Sequence, residues 1–147
     1  MRLATKHEVK KAKHPYYALF LSSKETSILA DALGTYPAER DELTSPTVER
    51  RRAATNDRIM QRASENRPSY ITWHPGQFEL SCGEAHDSLK SYKDFLTMGI
   101  QEGFLSRREQ RQQRKVLEMV QHMHEQFERE VIFDEIHQGI RRDFEGV

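Results

Sequence analysis

One cysteine and one histidine have a spacing that suits nucleophilic chemistry. Cys82 precedes His86 by four residues, in a segment where Ser81 and Glu84 have the spacing of a helix capping box. In the first turn of such a helix the dipole lowers a thiol pKa, and His86 lies one turn further on. The ordinary interpretation is a small residue at a helix start, with His86 facing solvent. Because no familiar catalytic signature surrounds Cys82, we predict no catalytic residue and keep a Cys82-dependent enzyme as an alternative.

Histidines and acidic residues in the last third of the chain are the candidates for metal binding. They are His122, His124, His137, Glu118, Glu125 and Asp134. Residues two apart on a helix point to nearly opposite sides, so His122 and His124 cannot share an ion there. Glu118 with His122, and Asp134 with His137, share faces, but such pairs are ordinary on polar helices. Without a familiar zinc or di-iron ligand set, the sequence predicts no metal site and no cofactor.

Arginine is concentrated at the starts of two predicted helices. Positive charge there is disfavoured by the helix dipole, which suggests that an anionic ligand or an acidic partner compensates it. The predicted partner-binding residues are Arg50, Arg51, Arg52, Arg58, Arg107, Arg108, Arg111 and Arg114. The alternative is a solvated face whose arginines pair with nearby carboxylates at Asp41, Glu42, Glu49 and Glu109.

Trp73 is the only tryptophan of the chain. Next to the rigid sequence His74-Pro75-Gly76, an exposed tryptophan could anchor a partner. Its alternation with Ile71 puts both side chains on one side of a strand, which favours a place in the core.

Two similar runs of elements are predicted to hold these residues. In the first, an apolar strand over residues 17–21 leads into a helix with a Ser22/Glu25 capping box that ends at Gly34. In the second, a hairpin with strands 70–73 and 78–80 leads into a helix that ends at Gly99. Whether residues 3–10 form a strand or a short helix is left open.

Each of these helices is followed by an arginine-rich helix. The first begins at Ser45-Pro46 and runs to about Glu65, and the second begins at a Ser106/Glu109 capping box. The recurrence predicts two copies of a strand-helix-helix unit, residues 1–66 and 67–147, in a single domain. A continuous helix over residues 106–138 would be about 50 Å long. We therefore expect that it breaks near Glu130 or that its distal half packs against another chain.

Composition limits the classes of function. The 147 residues carry 23 basic and 23 acidic side chains, so no net field attracts nucleic acid or an anionic membrane. A charge near zero also favours self-association. With a single cysteine, no signal-peptide pattern and no apolar run that spans a bilayer, the chain is expected in the cytoplasm.

The sequence therefore predicts an α+β, helix-dominated fold with two pseudo-repeats and a long C-terminal helix. The function it favours is a small non-enzymatic protein, such as an adaptor, assembly subunit or inhibitor, that binds a macromolecule through charged helical faces. A protein partner or a second copy is the first expectation. A nucleic acid held by the two arginine-rich helix starts as a phosphate clamp is the alternative.

Overall fold

A computed structural model describes residues 2–3, 17–37, 45–74, 76–103 and 105–145. Helices dominate this part of the chain and accompany a small antiparallel sheet, as the α+β prediction requires. The strands are β1 (Arg2–Leu3), β2 (Tyr17–Leu21) and β3 (Ser69–Trp73). The helices are α1 (Ser23–Thr35), α2 (Pro46–Ser64), α3 (Phe78–Gln101) and α4 (Arg107–Glu145).

The sheet has the strand order β1-β2-β3, and both pairs are antiparallel. Leu19, in the central strand, lies opposite Leu3 on one side and Ile71 on the other. In β3 the buried positions alternate, so that Ile71 and Trp73 face the core together and the core prediction for Trp73 is confirmed. Leu3 belongs to a strand, whereas residues 4–16 lie outside the described part.

The starts of α1 and α2 follow the predicted local chemistry. Ser22 Oγ accepts a hydrogen bond from Glu25 N, and the Glu25 carboxylate accepts one from Ser22 N, which confirms the first capping box. Ser45 caps α2 in the predicted way, with Pro46 as its first residue. The prediction of Gly34 as the C-terminal cap of α1 is wrong by two residues, since the helix continues to Thr35 and the cap is Tyr36, whose N–H bonds to Ala32 O.

The predicted second strand of the hairpin, residues 78–80, is wrong, because Phe78 is the first residue of α3. The capping box predicted at Ser81 is wrong for the same reason. α3 is capped instead by a distant residue: the carboxylate of Asp134, in α4, accepts hydrogen bonds from Gly76 N at 2.7 Å and Phe78 N at 3.1 Å. An acceptor supplied from elsewhere in the fold lets the helix begin before its local serine. Gly76 turns the chain there, with a φ of 82° that favours glycine.

α4 is continuous over 39 residues, on the order of 58 Å, so the predicted alternative of a break near Glu130 is wrong. It begins as predicted, with Ser106 Oγ accepting a hydrogen bond from Glu109 N. Since Asp134 contacts the first turn of α3, the eleven residues after it continue about 16 Å beyond that turn.

The core lies where the inner face of the sheet meets α1, α2, α3 and α4. Trp73 packs edge-on against Phe78, with ring centroids 4.8 Å apart, and Phe78 contacts Phe127 at 5.7 Å. These three rings join β3, α3 and α4 in one apolar cluster. The aliphatic residues buried with them include Leu19, Leu21, Leu29, Ile59, Ile71, Leu89 and Val120.

The order strand, helix, helix occurs twice, in β2-α1-α2 and in β3-α3-α4. The two halves pack differently, because α2 packs against both α1 and α3, whereas α4 packs mainly against α3. Duplication of one unit therefore stays a prediction.

Replacement of Asp134 by alanine is expected to lower the free energy of unfolding by about 2–4 kcal/mol, because two backbone N–H groups lose a charged acceptor. Chemical denaturation checks this. Glu118→Ala, at an exposed carboxylate of the same helix, is the control and is expected to change stability by less than about 0.5 kcal/mol. Equal effects of the two substitutions would contradict the role given to Asp134.

Candidate functional site

An open groove lies between α2 and β3, and we call it the arginine groove. Its volume is about 420 Å³, within the range of ligand sites. One wall comes from α2 and the other from β3 with the residue that follows it. The lining residues are Arg51, Ala54, Thr55, Arg58, Tyr70, Thr72, Trp73 and His74. Two of these described residues are arginines and none carries a carboxylate, so the lining has a net positive charge.

The wall formed by β3 is the edge of the sheet. Within the described residues, β2 pairs with one side of β3 and no strand pairs with the other. Arg58 Nη1 donates to Tyr70 O over 3.5 Å, which shows that this carbonyl points away from β2 and toward α2. Backbone groups two residues apart on an antiparallel strand point the same way, so those of Thr72 also face the groove.

Two arginines of α2 are held against the ring of Tyr70. The guanidinium carbons of Arg58 and Arg62 lie 4.6 and 5.2 Å from the ring centroid, within cation–π distance. Arg62 Nη1 also donates to Pro68 O at 3.2 Å. A second cavity of about 410 Å³ continues along α2 and adds Asp57, Glu65 and Arg67, so positive charge is less dominant there.

The three consecutive arginines at the start of α2 find acceptors within the protein. Arg50 Nε donates to Pro46 O at 3.3 Å, and Arg52 Nη2 donates to Glu79 O at 3.2 Å. Arg51 Nη1 donates to Gln77 Oε1 at 2.6 Å. Only Arg51 of these three lines the groove, where Arg58 accompanies it.

The other four predicted partner-binding residues lie elsewhere. Arg107, Arg108, Arg111 and Arg114 are exposed on the first turns of α4. These turns are near the C-terminal end of α3, where Gln113 approaches Gly99, whereas Arg51 contacts the residue before α3. The two arginine clusters are therefore about 30 Å apart along α3, and the fold does not bring them together.

Cys82 does not have the environment of a nucleophile. It lies in the second turn of α3 rather than the first, and it is 1% exposed. Burial, with a smaller contribution from the charge of Asp134, raises the pKa of its thiol, so the expected lowering by the helix start is wrong. The side chain of His86 contacts α4, where its Nε2 lies 2.9 Å from Glu128 Oε1.

A cluster of two histidines and a carboxylate joins α3 to α4. The rings of His86 and His124 stack with centroids 5.1 Å apart and an interplanar angle of 9°. Glu128 Oε1 lies 2.9 Å from His86 Nε2 and 3.4 Å from His124 Nε2. This His86/His124/Glu128 cluster was not predicted from the sequence, although the spacing of four between His124 and Glu128 indicates that the two share a face.

The local environment favours neutral His124. The residue is 7% exposed, and burial first, then the positive charge of Lys93, lowers its pKa. His86 and Lys90 act in the same direction, and Glu128 opposes them. Among the described residues, no group forms a hydrogen bond with His124 Nε2.

The other histidine and acidic candidates do not join this cluster. His122 is exposed together with Glu118. The carboxylate of Asp134 accepts hydrogen bonds from backbone N–H groups at the start of α3. The side chain of His137 lies outside the described part.

Comparison of the chain with known protein families, with curated proteins and with solved structures finds no match. In the part of the chain that the structure describes, no helix has the length and apolar character needed to cross a membrane.

We expect the free energy of unfolding to decrease as the pH falls through 6.5, the ordinary pKa of histidine, toward the lower pKa of His124 in the folded protein. In that interval the unfolded chain binds a proton that the folded chain does not, so acid favours unfolding. Denaturation at a series of pH values should show a weaker dependence for His124→Gln than for the wild-type chain.

His122→Gln, at an exposed histidine, is the control and is expected to keep the wild-type pH dependence. Burial raises the pKa of Glu130, so its titration affects the free energy of unfolding in the opposite direction, but this residue is present in all three proteins and does not distinguish them. Identical pH dependence in His124→Gln and the wild type would contradict the assignment.

Proposed function

We propose that this chain is a non-enzymatic binding protein that holds an extended, acidic segment of another protein in the arginine groove. The observation that carries the proposal is the juxtaposition of Arg51 and Arg58 with the outer edge of β3, in a groove whose described lining residues include no carboxylate. The arginines favour acidic side chains in the partner, and the strand edge favours an extended polypeptide.

A strand edge is suited to a polypeptide because it offers backbone donors and acceptors at fixed intervals. An extended segment that pairs with Tyr70 and Thr72 would add a strand to the sheet, a common mode of peptide recognition. Arg58 now bonds to Tyr70 O at a long 3.5 Å, so that contact can give way to a better backbone donor.

The arginines can bind carboxylates without losing all of their internal contacts. A guanidinium has five N–H donors, and the bond from Arg51 to Gln77 uses one of them. Arg51 and Arg58 are two helical turns apart, about 10 Å. Side chains on one face of an extended peptide recur every 7 Å or so, which lets two acidic residues separated by two to four positions reach both arginines.

Nucleic acid is the competing partner. Tyr70 beside two arginines offers a stacking surface of the kind that single strands use. The formal net charge of zero and the strand edge nevertheless favour a polypeptide.

Selection from a displayed library of random ten-residue peptides tests the proposal. We expect enrichment of acidic peptides whose binding to Arg51→Gln/Arg58→Gln is about 10- to 100-fold weaker, since each arginine contributes charge-assisted hydrogen bonds. A random single-stranded oligonucleotide library of matched charge is screened in parallel.

Arg108→Gln/Arg111→Gln is the matched control, because it removes the same charge at the other end of the molecule. It is expected to keep wild-type peptide binding. Loss of binding in both double variants would indicate a non-specific charge effect. If only oligonucleotides are enriched and their binding depends on Arg51 and Arg58, the partner of the groove is nucleic acid and not a peptide.

We also propose self-association through the distal part of α4. Ile132, Phe133 and Ile136 are each more than half exposed on this helix. Ile132 and Ile136 are four residues apart and share a face, and near-zero net charge adds no repulsion between copies. The exposed apolar side chains support an interface there.

Replacement of Ile132 and Ile136 by serine is expected to convert the associated protein to single chains of 17.3 kDa, as measured by sedimentation. The reason is loss of the apolar surface that drives association. Met98→Ser, at a comparably exposed apolar residue of α3, is expected to remain associated. A wild-type chain that sediments as a monomer at about 100 µM would contradict the proposal.

We further infer how the two halves arose and where the protein resides. The repeated element order and the pairing of β2 with β3 support an origin of the two halves by duplication. The single cysteine supports a reducing compartment, and we assign the protein to the cytoplasm.

A further inference from the structure

The His86/His124/Glu128 cluster has the composition of a metal site. Two imidazoles and one carboxylate are a common ligand set for zinc and other divalent transition metals. The three candidate ligand atoms lie within 4.8 Å of one another. They come from two helices, so an ion bound there would connect α3 with α4.

Of the three residues, His124 gives the clearest indication that an ion binds here. The residue is more than nine-tenths buried, and its Nε2 has no hydrogen-bond partner among the described residues. An orphaned polar atom in such a position costs free energy, which a bound cation would recover. Burial and the neighbouring ammonium groups also favour the neutral imidazole that binds metals.

Two of the three distances between ligand atoms are close to those of a tetrahedral ion, and the third, between the two imidazole nitrogens, lies within 4.8 Å and must shorten as the rings rotate. Zinc–ligand bonds of about 2.0–2.1 Å at tetrahedral angles put ligand atoms roughly 3.3 Å apart. Glu128 Oε1 and His124 Nε2 are already 3.4 Å apart, and the 2.9 Å contact to His86 must open by a few tenths of an ångström. The nearly parallel rings must also rotate so that both lone pairs meet, and χ2 of histidine is a soft torsion.

We propose that His86, His124 and Glu128 form a site for a divalent transition-metal ion, with zinc as the preferred class. Glu128 is about half exposed, so solvent can supply the fourth ligand. Lys90 and Lys93 add positive charge near His124 and limit the affinity. The site is separate from the arginine groove, so either proposal can fail alone.

Titration of the full chain with Zn²⁺ alone, in competition with a chromophoric chelator, tests the site. We expect one equivalent to bind and to raise the unfolding temperature, because an ion that binds only the folded state stabilises it. Co²⁺ in place of Zn²⁺ should give the visible absorption bands of a tetrahedral complex.

Glu128→Gln and His86→Ala are expected to weaken binding at least 10- to 100-fold, the loss that follows even from changes outside the direct ligands. His122→Ala, at an exposed histidine on the same helix, is the matched control and is expected to bind like the wild type. Circular dichroism of each variant without metal verifies that it is folded. Glu128 is partly exposed, so its near-isosteric replacement provides a test even if His86→Ala does not fold.

Three results would overturn the proposal. The first is no bound equivalent at about 100 µM Zn²⁺, a concentration at which a three-ligand site is filled. The second is unchanged binding in folded Glu128→Gln. The third is equal loss in His122→Ala, which would indicate adsorption to surface histidines.

Discussion

The carboxylate of Asp134 is the contact on which the arrangement of both sites depends. It caps α3 from the opposite helix and fixes the turn at Gly76. Because it joins one end of α3 to a defined position in α4, it also sets the register of the two helices. In that register His86 lies opposite His124 and Glu128. A shift of one residue would rotate these side chains by about 100° and separate them.

The same contact fixes the turn that carries Gln77, next to the start of α2. Gln77 and the carbonyl of Glu79 then accept hydrogen bonds from Arg51 and Arg52, which reduces the electrostatic cost of three arginines in the first turns of a helix. The cation–π contacts of Arg58 hold the middle of α2 against Tyr70. The arginines that line the groove therefore also hold α2 against its neighbours: Arg51 bonds to Gln77, and Arg58 contacts Tyr70.

Where the sequence carried its own cap, the prediction of an element was accurate. Ser22 with Glu25, Ser45 with Pro46, and Ser106 each begin a helix where expected, because the acceptor lies within three residues of the donor. α3 was predicted to begin at a local serine and in fact begins earlier, at Phe78, because its acceptor is more than fifty residues away. The arginines of α2 were predicted as a site because the helix dipole disfavours positive charge at a helix start, but their acceptors Gln77 and Glu79 were not predicted.

Composition and short periodic patterns were enough to predict the helix-dominated class, the burial of Trp73 and the concentration of arginine on α2. The burial of Cys82 and the distance between the two arginine clusters became visible only in the folded chain. The tertiary structure alone joined His86 to two residues about forty positions later. The physical reason is that ligand geometry and pKa depend on which faces of α3 and α4 meet, and that is set by packing between segments distant in sequence.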